Sequence, residues 1–384
     1  MEFLYAHDHK LIKNGNSYFT TGGFSDEITS RYTDVFGKMT LLCRAIDTKN
    51  INGCSRISNS KVVVHPFFLN KILPSKKNFR QINNEINEAD IVMVRLPSLL
   101  GLYVALRSDR INKKFCVEVV GSAWGSYWYK SKLGKIVAYP LEIANRYIIR
   151  KAQFALYVTE DYLQKEYPTN GKSISCTDVI LGKRTIDLLN ARVKKIKNRE
   201  NKKNLILGTL AQVDYRYKGQ ATVIQAIVEM KKKGVNIEYR LAGSGSKKHL
   251  YEIAKSYGVE ENIIFYGPIK HSEIESWIDD IDIYIQPSLT EGMPRAVIEA
   301  LYRGCPVIVS NAGGMYELVE SCYTFKKGNK NSLINILNKI DNPKLLDMAK
   351  RNYWFSEKFS YNILMEKRKS FYKNIRMEFE DELV

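Results

Sequence analysis

The sequence predicts an α/β protein built of two parallel-sheet domains, and three observations carry that prediction. At 384 residues the chain exceeds one ordinary hydrophobic core. Strand-like runs alternate with helical stretches in both halves, the pattern of βαβ units. A hydrophilic stretch, 192–203, divides the two sets. In the first half the candidate strands are Phe3 to Ala6, Met39 to Cys43, Val62 to Val64, Ile91 to Arg95, Phe115 to Val120 and Phe154 to Val158. In the second they are Asn204 to Thr209, Glu238 to Ala242, Ile263 to Tyr266, Ile281 to Gln286 and Pro306 to Val309. The domains that follow are 1–195, 196–352 and a tail, 353–384, with helical spacing at Phe355, Phe359, Ile363 and Tyr372.

Composition narrows the class. The chain is 45% hydrophobic and 26% charged, as in soluble globular proteins. No apolar run approaches a bilayer span, and Met1-Glu2-Phe3-Leu4-Tyr5 reaches Asp8 too soon for a signal peptide. Six cysteines (Cys43, Cys54, Cys116, Cys176, Cys305, Cys322) lack metal-ligand spacing and read as reduced thiols, so the expected location is cytoplasmic. A formal charge of +18 attracts polyanions or an anionic membrane surface. Lys183, Arg184, Arg192, Lys194, Lys195, Lys197, Arg199, Lys202 and Lys203 crowd one segment, which suits either a solvated interdomain linker or a lipid-contacting patch. No nucleic-acid-reading module accompanies the charge, so nucleic acid is not an expected partner.

Residues Glu291 to Glu317 hold the densest chemistry. Glu291 and Glu299 are separated by seven residues across Gly292-Met293-Pro294-Arg295. Gly292 permits a tight backbone, Pro294 suits the first position of a helix, and Ala296 to Tyr302 continue it. The unpaired amides of such a helix start favour a phosphate or a sugar hydroxyl. Carboxylates flanking that site can accept hydrogen bonds from a ribose and a hexose.

This pattern resembles the retaining glycosyltransferases of the GT-B fold, family 4 (glycosyl transferases group 1), with their E-x7-E signature. Further stretches resemble the same family in the right order: Leu241-Ala242-Gly243-Ser244-Gly245, Phe265-Tyr266-Gly267, and Asp282-Ile283-Tyr284-Ile285-Gln286-Pro287-Ser288. The resemblance implies two Rossmann-like domains facing across a cleft, with a C-terminal helix returning to the first. It also implies a nucleotide-sugar donor on the second domain. Lys218-Gly219 looks like the element whose lysine neutralises the donor diphosphate, a form of electrostatic catalysis. The arginine usual in that family is missing from Gly208-Thr209-Leu210-Ala211-Gln212. Arg216 is the candidate substitute, with an exposed loop arginine as the alternative. Glu299 is expected on the ribose, and Glu291 with the Gly292, Met293, Pro294 and Arg295 backbone on the transferred sugar. Lys218 and Glu291 are the expected catalytic pair.

On the first domain Thr20-Thr21-Gly22-Gly23, ahead of a helix near Ser25, resembles the family's glycine loop facing the donor phosphates. His7-Asp8-His9 is expected in a loop. Trp124 and Trp128 follow the strand end Val117-Glu118-Val119-Val120-Gly121 as sugar-stacking or core aromatics. Asp280-Ile281-Asp282 imitates a metal-binding D-x-D, but its lead into a strand assigns Asp282 a structural role; no metal or other cofactor is expected. The implied activity is retaining, metal-independent sugar transfer to a saccharide or polyprenyl-linked acceptor in bacterial surface polysaccharide synthesis, peripheral to the inner membrane face. The alternatives are a nucleotide-sugar 2-epimerase of the same fold and a non-catalytic nucleotide-sugar-binding protein.

Overall fold

The computed structural model describes residues 1–51, 53–67, 76–199 and 204–381. The chain forms two compact units, Met1–Cys176 with Leu364–Val384, and Thr177–Ile363.

In the first unit a parallel sheet runs Val62–Phe67, Met39–Asp47, Phe3–Asn14, Ile91–Leu96, Phe115–Val119, Phe154–Tyr157, Lys172–Ser175. The short strand Ser17–Thr20 pairs antiparallel with Phe3–Asn14, and Ser55–Arg56 pairs with it in turn. All six candidate strands of this half are present; the two short antiparallel strands and Lys172–Ser175 carry too little apolar sequence to announce themselves.

Phe3–Asn14 continues well past Ala6 because its pairing with Met39–Asp47 shifts register between Ala6 and Lys10. That irregularity absorbs His7, Asp8 and His9 into the strand, which corrects their expected loop placement. Asp8 has a structural duty there. Its two carboxylate oxygens accept the Leu99 amide at 2.6 Å and the Leu100 amide at 3.1 Å, at the start of the helix Leu99–Arg110.

The C-terminal helix, Tyr361–Glu380, packs on the first unit from Leu364 onward. Its buried Tyr372 donates a hydrogen bond to Glu118 Oε1 at 2.7 Å. Glu118 is only 2% exposed and also accepts from Tyr32 at 2.9 Å, Tyr5 at 2.6 Å and Arg95 at 3.1 Å. A buried carboxylate survives because four donors replace its water. Burial first, and then the charge of Glu118, raise the pKa of the Tyr5 and Tyr372 hydroxyls well above its ordinary value, so both stay protonated donors. Ile363 falls outside this packing: it is 45% exposed, while Phe359 is buried within the second unit.

The second sheet is wholly parallel and runs Ile263–Gly267, Asn236–Ala242, Asn204–Leu210, Ile283–Gln286, Val307–Ser310, Thr324–Phe325. Numbered along the chain within this unit, that is 3-2-1-4-5-6, the doubly wound order. Leu207, Leu241, Ile285 and Ile308 lie in its core, with Val223 and Ile227 of the helix Gln220–Lys232 packed over them.

The expected divider needs correction. Residues 200–203 lie outside the described residues, but 186–197 is helix, docked on the second unit. Buried Arg192 donates to the Ile281 and Ile278 carbonyls at 2.7 and 2.8 Å, and Lys195 donates to the Asp279 carbonyl at 2.6 Å. Arg184 stacks on Tyr353 and donates to its carbonyl at 3.0 Å. Three of the basic residues thus work inside the fold, and the unit boundary lies at Cys176/Thr177. Among the described residues no helix is long and apolar enough to cross a membrane. Four of the six cysteines, Cys43, Cys116, Cys176 and Cys305, are buried.

Candidate functional site

In a doubly wound sheet the chain leaves neighbouring strands in opposite directions where the order reverses, and a crevice opens at their carboxyl ends. Here the reversal lies between Asn204–Leu210 and Ile283–Gln286. The segment after the first of these passes through Ala211–Tyr215 into a single turn, Arg216–Lys218, and Gly219 then starts the helix Gln220–Lys232. Gly219 has φ 74°, and a Cβ there would stand 1.9 Å from the Pro287 carbonyl oxygen. Only glycine lets the two loops approach so closely. The Leu289 amide completes the stitch, donating to Tyr217 O at 2.7 Å.

That approach brings Lys218 Nζ to 2.6 Å from Glu291 Oε1, with the two side chains 19% and 12% exposed. The same oxygen accepts from Ser288 Oγ at 2.8 Å and Gln286 Nε2 at 3.3 Å. Gln286 is set by Tyr284, whose hydroxyl donates to Gln286 Oε1 at 2.8 Å. Tyr284, Gln286 and Ser288 stand on one face through strand alternation, so three buried polar side chains support the acid from beneath. Gly313 closes the other side. Its φ is 61°, a Cβ would lie 1.9 Å from the Glu291 carbonyl oxygen, and the Gly314 amide donates to Gly292 O at 3.0 Å.

Pro294 occupies the N-cap of the helix Arg295–Tyr302, one position ahead of its expected place, and no side chain caps the helix. Gly292, Met293 and Pro294 are half-buried, and Arg295 is exposed. The Val297 amide already donates to the Pro294 carbonyl at 3.2 Å, so an anionic or hydroxylic ligand at this helix start would meet the amides ahead of it. Glu299 stands in the second turn of this helix and lines a pocket of about 250 Å³ with Leu181, His271, Ile274, Glu275 and Tyr302. Burial raises its carboxyl above the ordinary value of 4.5; Arg295 and His271 pull it back, and Glu275 adds to the rise. The two acids of the motif thus serve different neighbours, Glu291 beside Lys218 and Glu299 in the His271 pocket.

Arg216 is exposed in the turn before Lys218. Gln212, at the end of the stretch that lacks the family's arginine, is also exposed and reaches Ser244 Oγ at 3.4 Å. In the first unit the Gly22 and Gly23 amides both point to Thr20 Oγ1, at 3.2 and 3.1 Å, and the hydroxyl also meets His9 Nε2 at 3.1 Å. The glycine loop therefore already has an internal acceptor for those amides. Ser25 caps the following helix, Asp26–Phe36, as its position suggested. Trp124 and Trp128 stack on each other with centroids 4.8 Å apart. Asp282 is structural: its Oδ2 accepts the Ile206 amide at 2.9 Å, tying adjacent strands. Tyr284, Gln286, Ser288 and His271 are site residues that sequence reasoning did not single out. The first three were legible as polar side chains at every second position of an otherwise apolar strand.

Comparison with known proteins gives the family. Residues 190–353 match the family model described as glycosyl transferases group 1. Protein CapJ of Staphylococcus aureus is 34% identical over 346 residues, covering 88% of this chain and 86% of that protein. The O-antigen biosynthesis glycosyltransferase WclY of Escherichia coli is 30% identical over 176 residues, 45% of this chain and 48% of its own. Among solved structures, Anabaena HepE in complex with UDP and glucose superposes with a TM-score of 0.65 at 18% identity, covering 95% of this chain and 97% of that one. With one relative matched along most of both chains, and the family model spanning Lys218, Glu291 and Glu299, this chain belongs to the group 1 glycosyl transferases and is a glycosyltransferase of GT-B fold.

Proposed function

We propose that the chain is a retaining, metal-independent family 4 enzyme. It moves a hexose from a nucleotide-sugar donor to a saccharide or polyprenyl-linked acceptor in bacterial surface polysaccharide synthesis. The observation that carries this reading is the Lys218–Glu291 pair at the topological reversal of the second sheet. Negative charge grows on the departing diphosphate during transfer, and an ammonium fixed in a half-buried crevice stabilises it more than water does. Glu291, held from beneath by Ser288 and Gln286, is oriented to accept hydroxyls of the transferred sugar. Glu299 in its pocket accepts the ribose hydroxyls. Retention then needs no protein nucleophile, because the leaving phosphate can take the acceptor's proton on the same face. The O-antigen role in the name of WclY, and the UDP and glucose held by HepE, support a nucleotide sugar and a surface glycan.

A thermal-shift screen against a panel of nucleotide sugars tests the donor half. One donor and its nucleoside diphosphate should stabilise the protein by mass action. Lys218→Ala should abolish the stabilisation by the diphosphate. Incubation with that donor alone separates transfer from epimerisation: slow hydrolysis fits the transferase, and a 2-epimerised sugar would replace this reading.

A further inference from the structure

On the first unit the helix Lys132–Lys151 turns an apolar face to solvent. Leu133 is 60% exposed, Ile136 74%, Tyr139 65%, Ile143 51% and Tyr147 46%. At about 100° per residue these five side chains fall within an arc of roughly 120°. The helix cannot roll to hide them, because its inward face is already filled by Ala138, Asn145, Ile148 and Ile149. Buried Glu142 locks that orientation, accepting from the Trp124 amide at 2.9 Å and from Tyr167 at 2.7 Å.

The exposed charge carried by this helix itself has one sign. Lys132, Lys135, Arg150 and Lys151 are exposed along the helix, and Lys130 precedes it. The only acid between 122 and 151 is the buried Glu142, which together with Glu166 pairs Arg146. At the far end the Tyr147 hydroxyl donates to Asp109 at 2.8 Å. A second copy of this chain would set lysines against lysines on a molecule carrying +18, which opposes self-association. An anionic bilayer complements both features. Aliphatic and aromatic side chains enter the headgroup boundary, and lysines snorkel to the phosphates.

We infer that the exposed face of Lys132–Lys151 is the surface by which this enzyme docks on an anionic phospholipid bilayer, lying in the interface plane. This assigns the membrane contact to the first unit and not to the 183–199 segment, whose Arg184, Arg192 and Lys195 work inside the second. The inference deepens the lipid-linked acceptor reading. It is read out by binding alone, so its failure is distinguishable from a failure of donor recognition.

The test is flotation of the full chain with phosphatidylcholine vesicles, with and without about one-third phosphatidylglycerol. The full chain should float only with the anionic vesicles. Ile136→Asp with Tyr139→Asp, and separately Lys132→Glu with Lys135→Glu, should each lower the bound fraction about tenfold or more. All four side chains are exposed, so folding should be retained, and the thermal shift with the nucleoside diphosphate should be unchanged. Lys183→Glu with Lys194→Glu makes the same change in net charge at exposed positions of the second unit and should leave binding intact. Absence of flotation, or an equal loss in that control, would overturn the inference. So would unchanged binding by the Asp variant, including the case where light scattering shows it breaking a dimer.

Discussion

Lys218 Nζ lies 2.6 Å from Glu291 Oε1, across a span of the chain that leaves one strand and returns at the end of its neighbour. The acid is thereby shared between an ammonium and two neutral donors, Ser288 and Gln286. This arrangement makes the two residues one unit, and their substitutions should not be additive. Lys218→Ala should lower kcat by about 10²–10³, the loss seen when one donor to a developing negative charge is removed. Glu291→Gln should lower it at least about tenfold. In the double variant the coupling should be about 0.5–3 kcal/mol, as for residues in direct contact. Strictly additive losses in steady-state transfer assays would separate the two roles, and unchanged turnover by Glu291→Gln would remove Glu291 from the transfer step.

Gly313 and Gly258 have almost the same backbone, φ 61° and 65°, in different surroundings. A Cβ on Gly258 meets nothing within 4 Å, whereas one on Gly313 would strike the Glu291 carbonyl at 1.9 Å. Gly258→Ala should therefore show only the left-handed backbone penalty, of order 1 kcal/mol in urea unfolding, with normal transfer. Gly313→Ala should lose more stability and also displace Glu291, lowering kcat. Equal behaviour of the two variants would mean the close approach is unimportant.

Burial raises the Glu299 carboxyl, so the folded chain still holds that proton at pH values where the unfolded chain has released it. The contribution of this group to stability is then most favourable below the ordinary value of 4.5 and declines as pH rises through the folded value. Glu299→Gln should flatten this part of the pH dependence and raise stability at neutral pH relative to the parent. It should weaken binding of the nucleoside diphosphate, because an amide is a poorer acceptor for two ribose hydroxyls. Calorimetric titration at neutral pH checks this; an unchanged Kd would remove Glu299 from the ribose.

Tyr372→Phe deletes one of the four donors to Glu118 and leaves the ring in place. A hydrogen bond to a buried charge contributes about 1.5–3 kcal/mol, so urea unfolding should show a loss of that order. The exposed Tyr361 on the same helix, changed to Phe, should cost almost nothing. A neutral Tyr372→Phe would show that this hydrogen bond does not hold the C-terminal helix, leaving the task to contacts such as Phe371 on Phe154 and Arg376 on the Val35 carbonyl.

Transfer should persist in EDTA. The D-x-D imitation has its second carboxylate, Asp282, engaged by the Ile206 amide and lying 3.9 Å from Lys195 Nζ. A metal there would have to compete with that amide and with the Lys195 ammonium for the carboxylate. Activity lost with EDTA and restored by manganese would contradict the metal-independent reading.

The fold class was legible because its carriers are local. Buried parallel strands such as Asn204–Leu210 and Ile283–Gln286 read as apolar runs, and glycines mark their turns. The motif around Glu291 and Glu299 was legible because its spacing lies within one loop and one helix. What the sequence hid is long-range. It could not show that Lys218 meets Glu291, that Tyr372 reaches Glu118 over 254 positions, or that Arg192 turns inward beneath Ile281. It offered the basic residues near 190 as either a linker or a lipid-contacting patch, and it did not reveal the exposed apolar face on Lys132–Lys151. Strand and helix periods are written in neighbouring residues, so the chain's own order determines them. Which polar side chains become partners, and which apolar face is left to solvent, depends on how the elements pack, and only the tertiary structure decides that.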